Sequence, residues 1–467
     1  MRGLRAGGVL VLALLWGACG GTAAEGGGAP VASTPPPAGT LTQEVHASAL
    51  NPSWVRASDA QLLYDHVAVD GAGNTYVSFQ YTGPASLAGR TLPWNGDASD
   101  VHLGVAKFRP GGALVWVRGY GPGTPSTDPS TSFFVHAAAL TVTRGGTVFL
   151  GGEAQGSGVQ VGSRTLGNGF FLLSLGSDGH RRFARSTRPD AGTTFSFLDF
   201  AVHRPGGGFY ALASFRVLSE SRAPRLMLIR YGNDGAARWG NIYEQPEGAS
   251  AEGARVASDE AGNAYVSGLG TGAVTFGGPS GSGTMTPFVF STTGQGNHRW
   301  THFVEAPEGS FTDGLVARGG RVVLAVTDVP TGVADLLGLS TGNGDERWRH
   351  VLGPSRGGIA VATSTRNEVV TCVSHGDASA LGVPRSPSVP DPLVTTSFVA
   401  RFRRNDGQFG RARNLQVGSG EDIRTEGCAV SDGGSVSVIG LFRGTADFGS
   451  GPLTSSTPRA FLLRLTP

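Results

Sequence analysis

The chain of 467 residues carries 75 glycines and 27 prolines, with 15% charged and 39% hydrophobic residues. That balance leaves too few helix formers for long helices. Apolar residues recur in short alternating blocks, which a disordered chain has no reason to keep, so an ordered, turn-rich, all-β protein is expected. The formal net charge of +2 comes from 37 basic and 35 acidic residues, and it falls to zero once Arg2 and Arg5 are set aside with the N-terminal segment. No basic stripe is long enough to track a phosphate backbone, which argues against nucleic acid. The one lysine, Lys107, follows no glycine loop, so a P-loop is excluded.

The N-terminus reads as a targeting segment. Arg2 and Arg5 precede an apolar run, Val9 to Trp16, that is too short to span a bilayer, and Gly17 and Ala18 then lead into Cys19. This resembles a bacterial lipoprotein signal over residues 1–18, with Cys19 lipidated as the first mature residue. The alternative is an ordinary secretory signal with a chance cysteine. Trp16 stands where that signal usually has a small aliphatic residue. Residues 19–42, rich in Gly, Ala and Pro, read as a flexible tether. The expected address is the outer membrane or cell surface, held through the lipid alone.

Beyond the tether the sequence repeats itself. Val69 to Ser78 reads VDGAGNTYVS and Ser258 to Ser267 reads SDEAGNAYVS, a turn followed by a strand. Weaker copies of the same scheme, anchored at the last turn residue, give Asn74, Gly146, Gly207, Asn263, Gly320, Asn367 and Gly434. These are seven units with a mean spacing of 60. A later apolar strand also occurs once per unit and runs into a glycine turn. In five units an aromatic stands four residues after the glycine: Trp116, Phe183, Trp239, Trp300 and Trp348. The sixth departs, with Phe409 only two after Gly407.

The seventh unit lacks this aromatic strand, whereas Ala49 to Ala57, with Trp54 at its middle, supplies an unpartnered one before the first unit. A strand exchanged between the two ends closes a ring and removes the sheet edges that a linear array would expose. The expected fold is a seven-bladed β-propeller of four-stranded antiparallel blades over residues 43–467, with residues 43–60 completing the last blade. An open β-solenoid fits less well, because its periods are shorter and need no exchange of ends.

The pattern Asp-x-x-Gly-Asn-x-Tyr-Val, then Phe-Gly at Phe276-Gly277 and Phe448-Gly449, then an apolar strand and Gly-x-x-x-Trp, resembles the bacterial SBBP β-propeller repeat. The resemblance covers nearly all of residues 49–467 and is sharpest in the first and fourth units. It implies a propeller in exported, often surface-exposed proteins and carries no catalytic residues.

Two face assignments follow. The glycine turns are short and structural, while the long connections, such as residues 82–100 and 374–396, fall together on the opposite face, where recognition is usually grafted. Asp65, His66, His136, Asp199, Glu252, Asp313 and Glu426 enter the first strand of their units from that face, so they could ring a channel mouth and hold a polar ligand or cation. They could equally be solvated strand starts. Trp94, in a long loop, could stack on a sugar or a partner, or plug a blade edge. Asp70 and Asp259 read as caps of their own turns rather than calcium ligands.

Cys372 and Cys428 lie in strand-like runs of consecutive units, and either a disulfide or two buried free thiols is expected. No motif calls for a metal or a cofactor. The expected function is a monomeric, non-enzymatic binding or scaffold module for an envelope protein or polysaccharide. The alternative is an envelope glycan hydrolase or lyase using carboxylates at the channel mouth.

Overall fold

The computed structural model describes residues 50–467, apart from residues 60, 96–99, 123–132, 157–158, 163, 168, 188–191, 221–222, 356, 377, 384–395, 416–421 and 450. The expected signal, the tether, Cys19 and the start of the closing strand lie outside the described residues. So does most of the loop that precedes the strand Ser397–Arg403.

Seven four-stranded antiparallel sheets form the body. Their innermost strands are Leu62–Val69, Phe134–Val142, Thr193–Val202, Ser250–Ser258, Phe311–Arg318, Ile359–Thr363 and Asp422–Val430. Each touches the innermost strand of the next blade, and the last returns to the first, so the sheets close a ring around a channel. The chain is therefore the expected seven-bladed propeller. The strand Asn51–Ala57 pairs with Pro452–Thr466 at the outer edge of blade 7, which is the predicted exchange of ends.

Burial along each blade explains why the strands read differently in sequence. The second and third strands lie between neighbouring blades and are covered on both faces. Thr75–Tyr81 and His102–Phe108 are accordingly buried almost without interruption. Outer strands cover only one face and alternate. Innermost strands divide their side chains between the core and the channel, as the partial burial of Asp65 to Val69 shows.

The recurring aromatics form the joints of the ring. Trp116, on the outer strand of blade 1, lies over Gly179 in the last turn of blade 2 and donates its indole N–H to the Ser177 carbonyl at 3.0 Å. Trp239, Trp300 and Trp348 repeat the clasp on Gly294, Thr341 and Arg404, at 2.9, 3.0 and 3.0 Å. Phe183 packs on Gly235 in the same way without a donor. Trp54 of the exchanged strand donates to the Pro110 carbonyl at 2.8 Å and covers Gly112.

Glycine at these turns has a double cause. Gly112 adopts φ 82°, and a Cβ there would stand 2.9 Å from the Trp54 indole, so a side chain would be both strained and in collision. The spacing Gly-x-x-x-aromatic is thus a relay: the glycine receives the previous blade's ring and the aromatic clasps the next blade. Phe409 breaks the spacing in blade 6, whose outer strand faces blade 7. There the third and fourth strands, Pro452–Thr466 and Asn51–Ala57, are not consecutive in the chain, so no turn joins them for an aromatic to clasp.

The junction between blades 7 and 1 carries two further ties. Arg464 donates to the Gly73 carbonyl at 2.8 Å, and Arg56 donates to the Gly112 carbonyl at 2.9 Å.

Candidate functional site

Six of the seven innermost strands carry a β-bulge near the middle, at Tyr64/His66, Ala137/Ala139, Phe197/Asp199, Gly253/Arg255, Thr312/Leu315 and Thr425/Gly427. A bulge leaves one residue unpaired and re-aims the side chains beside it. Asp65, Asp313 and Glu426 are themselves bulged residues, and His66, Asp199 and Arg255 follow directly. One backbone device, repeated around the ring, therefore sits at or directly beside five of the seven expected channel residues, Asp65, His66, Asp199, Asp313 and Glu426.

Their partners differ. Asp199 of blade 3 accepts the Val256 N–H of blade 4 at 2.9 Å and its neighbour Phe200 N–H at 2.8 Å. Asp313 of blade 5 accepts the Thr327 hydroxyl at 2.9 Å and a backbone N–H of Ile359 in blade 6. His66 of blade 1 donates from Nε2 to the Ala137 carbonyl of blade 2 at 3.2 Å. Alternate junctions are thus sewn together at the channel wall, and the donors and acceptors so satisfied lie in or beside the bulges.

Asp65 is different. Its Oδ1 accepts Gln80 Nε2 at 2.9 Å within the same blade, while its buried Oδ2 has no hydrogen-bond partner among the described residues. Burial pushes its pKa up to about 7, with the Gln80 bond opposing and the charge of Glu426 adding to the rise. Asp313 is likewise pushed up to about 7 by burial, against the Thr327 bond and Arg255. Burial also raises Asp199. It brings His66 down to about 4, so that ring is neutral at physiological pH.

Among the described residues, the remaining nominated ones form no hydrogen bond with this group. Glu252 is exposed. Glu426 is exposed and paired with Arg424 at 2.8 Å. His136 packs against Phe134 and keeps a buried Nδ1 without a partner among the described residues. Trp94 lies on the imidazole of His102, with ring centres 4.3 Å apart, and adds to the aromatic cluster of blade 1 beside Tyr81. Cys372 and Cys428 are free thiols. They lie within hydrogen-bonding reach of each other, and burial with that contact holds the Cys372 thiol well above its usual range. Asp70 accepts two backbone N–H groups of its own turn and the Tyr76 hydroxyl. Asp259 does the same for Asn263 and Tyr265. Among the described residues no group of three or more His, Cys, Asp or Glu is placed to hold a metal.

Arg255 was not among the sequence candidates. Among the described residues it donates to the neighbouring Ala254 carbonyl alone, at 3.1 Å; it is exposed and lies near enough to act electrostatically on His66, Asp199 and Asp313. Nothing in a lone strand arginine signals that position; the bulge at Ala254 determines it.

Toward the tight turns the channel holds a cavity of about 720 Å³, walled by the final residues of all seven innermost strands. This is the face opposite the variable loops.

No protein-family model matches the chain, and no curated protein matches it by sequence. Solved structures with a similar course include the polysaccharide lyase Uly1, at 10% identity and a TM-score of 0.47 over 91% of this chain and 94% of that one. The β-propeller domain of Cps50 (Swd1) from Myceliophteria thermophila is similar at 8% identity and a TM-score of 0.43, over 87% and 99%. A protein of unknown function from Dyadobacter fermentans is similar at 11% and 0.42, over 71% and 95%. Likenesses this distant say nothing of ligand or reaction.

Proposed function

We propose that this chain is a non-enzymatic binding or scaffold module of the bacterial cell envelope, a propeller of the SBBP type carried on a lipid-anchored tether at Cys19. The observation that supports the binding reading is the employment of the channel carboxylates. Asp199 and Asp313 are engaged in blade-to-blade hydrogen bonds, and an acid already accepting backbone N–H groups is poorly disposed to exchange protons with a substrate. A rigid ring with long loops on one face suits recognition of an envelope protein or polysaccharide. The lipid anchor rests on the sequence around Cys19. Its test is the membrane fraction of cells expressing Cys19→Ser: release into the soluble fraction supports it, and unchanged partition defeats it.

The binding reading is tested by isothermal titration of envelope polysaccharide and by capture of envelope proteins. The intact chain is compared with one whose loop at residues 374–396 is shortened. Loss of a saturable partner with the loop supports the reading, and identical profiles oppose it.

A second reading, an envelope glycan hydrolase or lyase, draws support from Asp65. An orphaned oxygen, an acidity near neutrality and an ionisable neighbour in Glu426 are properties of a general acid. Turnover of an envelope glycan that is abolished in Asp65→Asn would favour it over the first.

A further inference from the structure

The cavity on the tight-turn face has a charged mouth that the sequence pattern did not single out. We propose that this mouth is an oxyanion-binding site, formed by Arg144, Arg204 and Arg318, that takes a small carboxylate or phosphate ligand into the lower channel. The proposal stands apart from the loop-face reading, because it concerns the opposite end of the ring.

The arginines come from the first turns of blades 2, 3 and 5 and reach beyond their own blades. Arg204 Nη1 lies 3.4 Å from both Glu260 Oε1 of blade 4 and the Ala317 carbonyl of blade 5. Arg318 Nε approaches the same Glu260 oxygen at 3.2 Å, and Gly319 N–H donates to the other at 3.2 Å. Arg144 stretches to Asp432 of blade 7 at 3.5 Å, with its side chain 83% exposed.

Glu260 shows what the mouth is built to hold. One carboxylate there receives a guanidinium from each of two blades and a backbone N–H, which is the stereochemistry of a carboxylate receptor. The protein's own carboxylates do not saturate it. Three guanidinium groups face two carboxylates, Glu260 and Asp432. Two further acids stand near the rim: Asp70 is engaged by Asn74, Tyr76 and Lys107, and Asp259, close enough to act on Arg204, is engaged by Asn263 and Tyr265. His203 is turned to Arg230. The Arg204 contacts are long, and burial together with the charge of Arg318 disfavours its cationic form, so an added anion would relieve an existing repulsion. The space behind, about 720 Å³, is of the size that accepts a small molecule.

Glu260 competes with any external anion, and this gives the proposal a test with two opposite signs. Isothermal titration of the purified full-length protein uses two probes in separate arms, inorganic phosphate and glucuronate. Saturable binding is expected, weakening as sodium chloride is added. Arg204→Gln and Arg318→Gln each weaken it about tenfold, the cost of one charge-assisted hydrogen bond. Glu260→Gln tightens it about tenfold by removing the competitor. Binding in the phosphate arm alone identifies a phosphate ligand, and binding in the glucuronate arm alone a carboxylate one. Silence of both probes with wild type and Glu260→Gln overturns the proposal. So does tightness unchanged by Glu260→Gln, a variant that removes charge without removing volume and so keeps the test open if an arginine variant fails to fold.

Discussion

The carboxylate of Asp199, in blade 3, accepts the backbone N–H of Val256, in blade 4, at 2.9 Å. The bond crosses from one innermost strand to the next just beyond the bulge of the second. Asp199→Ala would leave that N–H, and the Phe200 N–H, without their acceptor, at a cost of about 1–3 kcal/mol. Denaturant unfolding should show the loss. Exposed Glu252→Ala, a few residues away, should stay within about 0.5 kcal/mol of wild type.

The aromatic clasps predict a graded series. Trp116→Ala empties a buried site and should cost about 3–5 kcal/mol, whereas Trp116→Phe loses chiefly the bond to the Ser177 carbonyl, about 1 kcal/mol. Phe409→Ala should cost clearly less than Trp116→Ala, because Phe409 packs within its own blade and holds no neighbouring turn. Equal losses at the two positions, measured by urea unfolding, would contradict the relay.

Asp65 makes a pH prediction. Between about pH 4 and 7 the folded carboxyl keeps a proton that the unfolded chain has lost. The wild type therefore loses stability as pH rises through that window and regains it on acidification. Asp313 acts in the same direction. His66, pushed down to about 4, acts oppositely below about pH 6.5, so the whole-protein profile is a compromise. The difference isolates the aspartate: Asp65→Asn should melt near wild type at pH 4 and above it at pH 8, by on the order of 2 kcal/mol. A difference that does not change with pH would refute the neutral carboxyl.

Cys372 and Cys428 predict a redox pair. A thiol–disulfide oxidant such as oxidised glutathione should take both thiol hydrogens and join the two sulfurs within one chain, by way of a mixed disulfide on Cys428. Cys428 borders the cavity, whereas Cys372 is fully buried. Intact-mass measurement should find the loss of two hydrogens without dimer, and Cys428→Ser should abolish it. Accumulation of a stable mixed disulfide at Cys428 would show that the sulfurs do not meet.

The exchanged strand predicts a defect of closure. Deleting residues 50–57 removes Trp54 and Arg56 from the junction with blade 1 and exposes the edge strand Pro452–Thr466. Light scattering should detect oligomers, and the melting transition should fall; an unaltered monomer with an unchanged melting temperature would exclude a closing role.

The blades were legible in the sequence because a tight turn between two apolar strands recurs seven times and a glycine turn before an outer strand recurs six times, and the exchange of ends because one aromatic strand was left over at the start and missing at the finish. The aromatic spacing was visible too, but its meaning was not: each indole clasps a turn 41 to 61 residues away, a distance set by the closed ring and by nothing local. The bulges were hidden for a similar reason. A bulge is a two-against-one mismatch between strands, and Ala254 gives no sign of it alone. Asp65, Asp199 and Asp313 were nominated as strand starts, yet they lie inside their strands at or beside the bulges, and neither reading offered for them included the neighbouring blade that Asp199 and Asp313 engage. Attention to variable loops also drew the search toward one face, while the arginine mouth is built from short, regular turns.

The pairing of Asn51 with Thr466 puts the two ends of the ring's chain side by side on antiparallel strands. Force pulling those ends apart would peel the closing pair open one hydrogen bond at a time, beginning at its outermost rung, rather than shear all its bonds together. Under such a load the last blade would yield first and at low tension, while the other six, gripped by clasps that run sideways to the pull, would stay assembled.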